Sequence, residues 1–158
     1  STLQVLVQGE QSKAALLARF QTDLAPSILV GSASFWEGVD LPGDALQLLV
    51  IDKIPFPTPS DPWVQARTKR LEAQGRSAFN SFYMLEAAMA LKQGAGRLIR
   101  RESDRGILLL CDTRLLHMGY GKRLLAALPP MRRISAEDQW QDELLALTRT
   151  STTAPTPT

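Results

Sequence analysis

Three side chains near the middle of the chain have the types and spacing for phosphate chemistry: Gln93, Arg97 and Arg100. On a helix turning ~100° per residue, with Gln93 at the origin, Arg97 falls at about 40° and Arg100 at about −20°. All three then share one narrow face. Met84, Ala88, Leu91, Ala95 and Leu98 fall on the opposite, apolar face. One side suits a core, and the other offers an amide and two guanidiniums. Arginine presents a rigid fork of donors that matches phosphate oxygens. Gly94 and Gly96 flank this face, and each costs roughly 1 kcal/mol relative to alanine in a helix interior. Close approach of another backbone or a ligand is the expected reason for them. The same spacing also describes an exposed helix with ordinary surface arginines.

A second stretch, Gly31 to Gly43, reads Gly-Ser-Ala-Ser-Phe-Trp-Glu-Gly-Val-Asp-Leu-Pro-Gly. It follows an apolar run and is rich in small residues that leave backbone N–H groups accessible. Ser32 and Ser34 add hydroxyls. A helix beginning there would favour an anion. Asp40, after Gly38, is placed to accept hydrogen bonds from a sugar hydroxyl. The plainer alternative is a loop with Phe35 and Trp36 packed inward and Asp40 capping a turn.

These residues need elements to hold them. Strands are expected at Leu3–Val7, Ser27–Gly31, Leu46–Ile51 and Gly106–Cys111, with a helix over Gln11–Asp23 between the first two. Leu46–Ile51 is almost continuously apolar, as a strand buried on both faces of a parallel sheet would be. Ile54 to Pro62 holds four prolines and is expected to be irregular. Pro62 suits a helix's first turn, with Asp61 or Ser60 as cap and Gly75 as its end. The arginine-bearing helix is expected from about Ser81 to Arg100 or Arg101. Leu115 to Leu128 reads as helix with breaks near Gly119 and Gly121, and Ser135 to Leu147 as a last helix. The Thr- and Pro-rich end is expected to be disordered. Strands alternating with helices predict an α/β fold with a mainly parallel sheet. Ligands of such folds sit beyond the carboxyl ends of the strands.

The 158 residues fit about one domain, with 44% hydrophobic and 22% charged residues. Such a composition excludes a wholly disordered, collagen-like or coiled-coil chain. No apolar run approaches the ~20 residues that span a bilayer, and no signal-peptide pattern opens the sequence. The one cysteine, Cys111, cannot make an internal disulfide or a cysteine-ligated cluster. A reducing, cytoplasmic setting is the expectation. Charge is uneven. Residues 61–133 hold fourteen bases against six acids, whereas residues 1–60 hold three against six. A basic middle points to an anionic partner or to a solvated basic surface. His117 is the only histidine, which makes no metal site or triad.

Gly31–Gly43, Val-Ile-Asp-Lys-Ile-Pro-Phe (50–56) and Gln-Gly-Ala-Gly-Arg-Leu-Ile-Arg (93–100) occur in this order. Together they resemble the C-terminal motifs of DinG/XPD-type superfamily-2 DNA helicases, nearest to the bacterial YoaA branch, over roughly residues 3–130. The resemblance implies a second RecA-like motor domain of the P-loop NTPase type, residues 1–130, truncated at its N-terminus and short of one strand. Residues 131–158 would form a C-terminal extension. It implies that Arg97 and Arg100 reach the γ-phosphate of ATP held by a first motor domain, with Gln93 orienting that site. Gly38 and Asp40 would belong to the nucleotide-binding cleft. Ser32, Ser34 and Lys53 would contact single-stranded DNA. ATP and Mg²⁺ would be shared with the first domain, and an iron–sulfur cluster would belong to that domain alone. The chi subunit of the polymerase III clamp loader is a further partner the resemblance implies, with the region around Trp140 as its docking site. Two other readings stay open on the residues: a non-catalytic docking module that keeps the fold, and an unrelated mononucleotide-binding domain.

Overall fold

The computed structural model describes residues 2–22, 25–39, 41, 45–101, 104–134 and 136–150. The elements are β1 (Gln4–Val7), α1 (Lys13–Thr22), β2 (Ser27–Val30), β3 (Leu48–Ile51), α2 (Pro62–Ala73), α3 (Met84–Leu98), β4 (Ile107–Leu110), α4 (Arg114–His117), α5 (Gly121–Ala126) and α6 (Glu137–Thr150). A short 3-10 turn, Ala33–Trp36, follows β2, and one π-helical turn, Phe79–Tyr83, leads directly into α3. The α/β class expected from the alternation is what forms.

The strands pair in two separate ribbons. β1 lies parallel to β2 with Leu6 opposite Leu29, and β3 lies parallel to β4 with Val50 opposite Leu109. Each pair is joined through helix, as parallel strands require. The parallel sheet is thus divided between β2 and β3, in keeping with the strand the resemblance implies it is short of.

Each ribbon carries its own apolar cluster. Leu6, Leu16, Phe35, Val39 and Leu41 gather around β1, α1 and the segment after β2. Ile51, Ile54, Met84, Ala87, Leu91, Leu115 and Leu124 gather where α3 crosses β3 and β4. Met84, Leu91, Ala95 and Leu98 of the expected apolar stripe are buried, while Ala88 is half-buried and Ala87 is fully buried beside it. α2 starts as its sequence suggests: the Asp61 carboxylate accepts from the N–H groups of Trp63 and Val64, and Pro62 occupies the first turn. The break between α4 and α5 falls at Gly121. A Cβ there would lie 2.1 Å from the Leu115 carbonyl oxygen, so only glycine lets the two short helices pack this closely.

The arginine-bearing helix ends sooner than its periodicity suggests. α3 stops at Leu98, and Ile99 is extended, with φ −122° and ψ 113°. The Asp104 carboxylate accepts from the N–H groups of both Arg100 and Arg101, at 2.9 Å each. These bonds hold the chain in a turn before β4. They also hold the Asp104 carboxyl below its usual range. Arg100 therefore sits past the helix rather than on its face.

Candidate functional site

α3 is the crossover between two parallel strands, so it runs against them. Its first turns pack near Ile51 and Ile54, at the carboxyl end of β3. Its last turn packs at the strands' amino ends, where Gly106 lies against Leu98 and the Gln47 carbonyl. Gln93, Arg97 and Arg100 are thereby carried toward the end of the sheet opposite to the one where α/β folds hold their own ligands. Gln93 and Arg100 are exposed, and Arg97 is half-buried. No carboxylate pairs with Arg97 among the described residues. Its side chain lines a cavity of about 510 Å³ between β2 and β3. Gly94 is buried in the same lining, but Gly96 is exposed, and a Cβ there would meet nothing within 4 Å. The close approach expected at Gly96 does not come from the described residues.

Of the other predicted residues, Ser32, Gly38 and Lys53 lie toward the carboxyl ends of β2 and β3. Ser32 does not open a helix of useful length, because the turn after it spans only Ala33–Trp36. Its N–H and its hydroxyl both donate to Gln8 Oε1, at 2.7 and 3.0 Å. Those bonds tie the ends of β1 and β2 together. The backbone of Ser34 lies within the turn; the side chain of Ser34 and all of Asp40 fall outside the described residues. Gly38 has φ 69°, a left-handed conformation. The backbone carbonyl of the neighbouring Glu37 accepts from Lys13 Nζ, at 2.5 Å. Lys53 is exposed just beyond β3. The predicted residues thus form two groups at opposite ends of the strands, with the cavity running between them from Gly31 and Ser32 to Arg97.

Residue-by-residue reading missed Asp112. It stands at the carboxyl end of β4 and clips the proline-rich loop to it. Its Oδ2 accepts from the Ile54 N–H at 2.9 Å, and both its oxygens accept from the Arg114 guanidinium. The Arg114 bonds, then the Ile54 bond, hold its carboxyl well below the usual carboxylate range against the opposing effect of burial. Arg114 in turn lies over the Phe56 ring, 5.7 Å from its centroid. Phe56, Phe79 and Tyr120 stack edge to face beside it. An acidic residue at a strand end followed two positions later by arginine was the available signal. His117 is exposed at the end of α4, and Cys111 is exposed rather than a core residue.

Residues 1–131 match the family described as helicase C-terminal domain. The chain belongs to that family. It is 48% identical over 132 residues to the ATP-dependent DNA helicase YoaA of Escherichia coli (strain K12), a stretch that is 84% of this chain and 21% of the relative. It is 47% identical over 133 residues to the YoaA of Haemophilus influenzae, with the same coverage. It is 42% identical over 145 residues to the ATP-dependent helicase DinG of Mycobacterium tuberculosis (strain H37Ra), covering 92% of this chain and 22% of that one. The chain thus spans about a fifth of the length of these relatives. As a helicase C-terminal domain, it is mixed α/β with short parallel strand pairs. Among the described residues, no helix is long and apolar enough to cross a membrane.

Proposed function

We propose that this chain is the second motor domain of an ATP-dependent DNA helicase, and that Arg97 and Arg100 complete a nucleotide site built by a first motor domain. The observation that carries this reading is the position of Arg97 and Arg100. A group serving a nucleotide held by this chain would be expected at the carboxyl ends of the strands. These arginines instead leave α3 at the amino ends, where they can serve a phosphate presented by a neighbour. Phosphoryl transfer builds charge on the transferred group, and an arginine delivered to it contributes about 10³–10⁵ in rate. That is roughly 4–7 kcal/mol of barrier. Gln93, exposed on the same end of α3, orients the site. Gly38, expected at the nucleotide-binding cleft together with Asp40, lies instead with the Ser32 segment at the other end of the strands.

Mg²⁺ neutralises phosphate charge when ATP is bound. In this reading the ion is shared with the first domain, as the resemblance implies. In this reading an iron–sulfur cluster, which the resemblance implies, also belongs to the first domain. Because the arginines and the phosphate-binding elements sit on different domains, hydrolysis depends on the domains closing. That closure is what moves the protein along a strand. Single-stranded DNA would run past the opposite end, across Ser32, Ser34 and Lys53. The printed names of the relatives, ATP-dependent DNA helicases, support the reading.

The 158-residue chain alone is expected to hydrolyse no ATP, with or without Mg²⁺ and single-stranded DNA. A steady-state phosphate-release assay checks this. Metal-dependent turnover by the isolated chain would overturn the divided site.

A further inference from the structure

Trp63, in the first turn of α2, is 60% exposed. It is held all the same. Its ring meets that of Phe82 edge to face, with centroids 5.6 Å apart. Phe82 is buried in the π-helical turn before α3, so it forms a fixed wall behind the indole. Arg67, one turn along α2, holds its guanidinium 5.6 Å from the Trp63 centroid and 5.1 Å from that of Phe82. The result is a flat apolar surface, fixed in place and open to water. A ring that lands on it orders little that is not already ordered.

The charge around this surface is one-sided. Trp63, Arg67 and Arg70 are spaced to share one helix face, and both arginines are exposed. α2 holds Arg67, Lys69 and Arg70 against Glu72 alone. Among the described residues, no carboxylate pairs with any of the three cations. Arg114, which lies over Phe56, differs in being neutralised by Asp112. Unneutralised guanidiniums beside an exposed ring match a partner with flat apolar faces strung on a polyanionic backbone.

Position adds to this. The Ile54 N–H is bonded to Asp112 at the carboxyl end of β4, and Phe56 meets Phe79 and Tyr120. Met84, which follows the π-helical turn, packs with Ile51 and Ile54. Trp63, seated on Phe82 of that turn, is thereby at the carboxyl ends of β3 and β4. It lies on the side of Lys53, away from Arg97 and Arg100.

We propose that Trp63 is a stacking platform for one base of single-stranded DNA. Arg67 fixes the indole, and Arg70 engages a flanking phosphate. Such stacking tolerates any sequence, because every base has a π-face. The platform rests on the reading that single-stranded DNA crosses this end of the domain, and it adds a contact that is independent of ATP.

The test measures binding of the full 158-residue chain to two labelled ligands by fluorescence anisotropy. One is a twelve-nucleotide oligothymidylate. The other is an abasic deoxyribose-phosphate oligomer of the same length, with the same phosphates and no bases. Trp63→Ala is expected to weaken the first by roughly 5–150-fold, the worth of one stacked base, and to leave the second within about twofold. Trp63→Phe keeps a ring and should recover most of the loss. Arg70→Gln is expected to weaken both ligands and to make the slope of log K against log salt shallower by about 0.7. If Trp63→Ala fails to fold, the indole N–H resonance of Trp63 in the unaltered chain decides. It should shift with oligothymidylate and stay in place with the abasic oligomer. Unchanged oligothymidylate affinity in folded Trp63→Ala, or equal loss on both ligands, overturns the platform and leaves the DNA path standing. An indole resonance that neither ligand moves also overturns it and leaves the surface to a protein partner. An unaltered chain that binds neither ligand at low salt overturns the platform and the DNA path together.

Discussion

The two halves of the molecule are built on the same plan but differ in how well each closes on itself. In the first, β1, α1 and β2 gather five buried apolar residues, and α1 contributes only Leu16 to them. In the second, α3 lies across β3 and β4 and buries six of its own residues, with α4 and α5 sealing the cluster through Leu115 and Leu124. The clusters share no residue. A helix with a full apolar stripe makes one half self-sufficient. A helix with a narrow one leaves the other less closed. Arg97 and Arg100 emerge from the better-closed half, and the Ser32 segment belongs to the other.

Core truncation separates the halves most sharply. Leu91→Ala, at a site with no exposure, is expected to cost about 2–5 kcal/mol and to lower the urea midpoint of the β3–β4 half. Leu16→Ala deletes a side chain of equal size from the other cluster. It is expected to open β1 and β2 while amide protection in β3 and β4 persists. Equal loss of protection in both halves would show one cooperative unit and break the comparison.

The Asp112 clip acts within the second half alone. Asp112→Asn removes the charge that Arg114 and the Ile54 N–H engage, at an expected cost of about 1–2 kcal/mol at neutral pH. The carboxyl titrates lower in the folded chain than in the unfolded one, where it lies near 3.9. Its contribution is therefore fully present above about pH 4 and fades as pH falls below that value. Urea midpoints of wild type and variant should converge toward pH 2. A gap that stays constant with pH would assign the effect to packing rather than charge.

The smallest effect is expected at Gly96, on the arginine-bearing end of α3. A Cβ there meets nothing among the described residues, so Gly96→Ala should stabilise the helix by up to ~1 kcal/mol. If the glycine instead makes room for a neighbouring domain, the same substitution will lower ATP turnover of the full-length protein while raising its thermal midpoint. Unchanged turnover would remove Gly96 from the interface.

Much of this fold is legible in the residues. The strands fall within the apolar runs that announce them, Asp61–Pro62 opens α2, and the glycines at 119 and 121 mark the break before α5. These signals are local. What is not legible depends on contacts between distant residues. Helical periodicity carries the reading through Arg100, but the Asp104 carboxylate captures two N–H groups and ends the helix two residues earlier, at Leu98. Ser32 reads as a free hydroxyl until Gln8, twenty-four residues away, accepts from it. Asp112 attracts no notice until Ile54, fifty-eight residues off, donates to it. The types of the candidate residues are plain from the sequence. Their separation to opposite ends of the strands was not, because it follows from the direction of α3 against the sheet.

The account rests on the arginines at the end of α3, and one measurement meets it directly. Arg97→Ala and Arg100→Ala in the full-length protein are each expected to lower the ATP turnover number by about 10³-fold or more. ATP affinity, measured separately by equilibrium binding, should stay within about tenfold of wild type, because the interaction belongs to the transition state. Near-normal turnover in both variants would contradict the account.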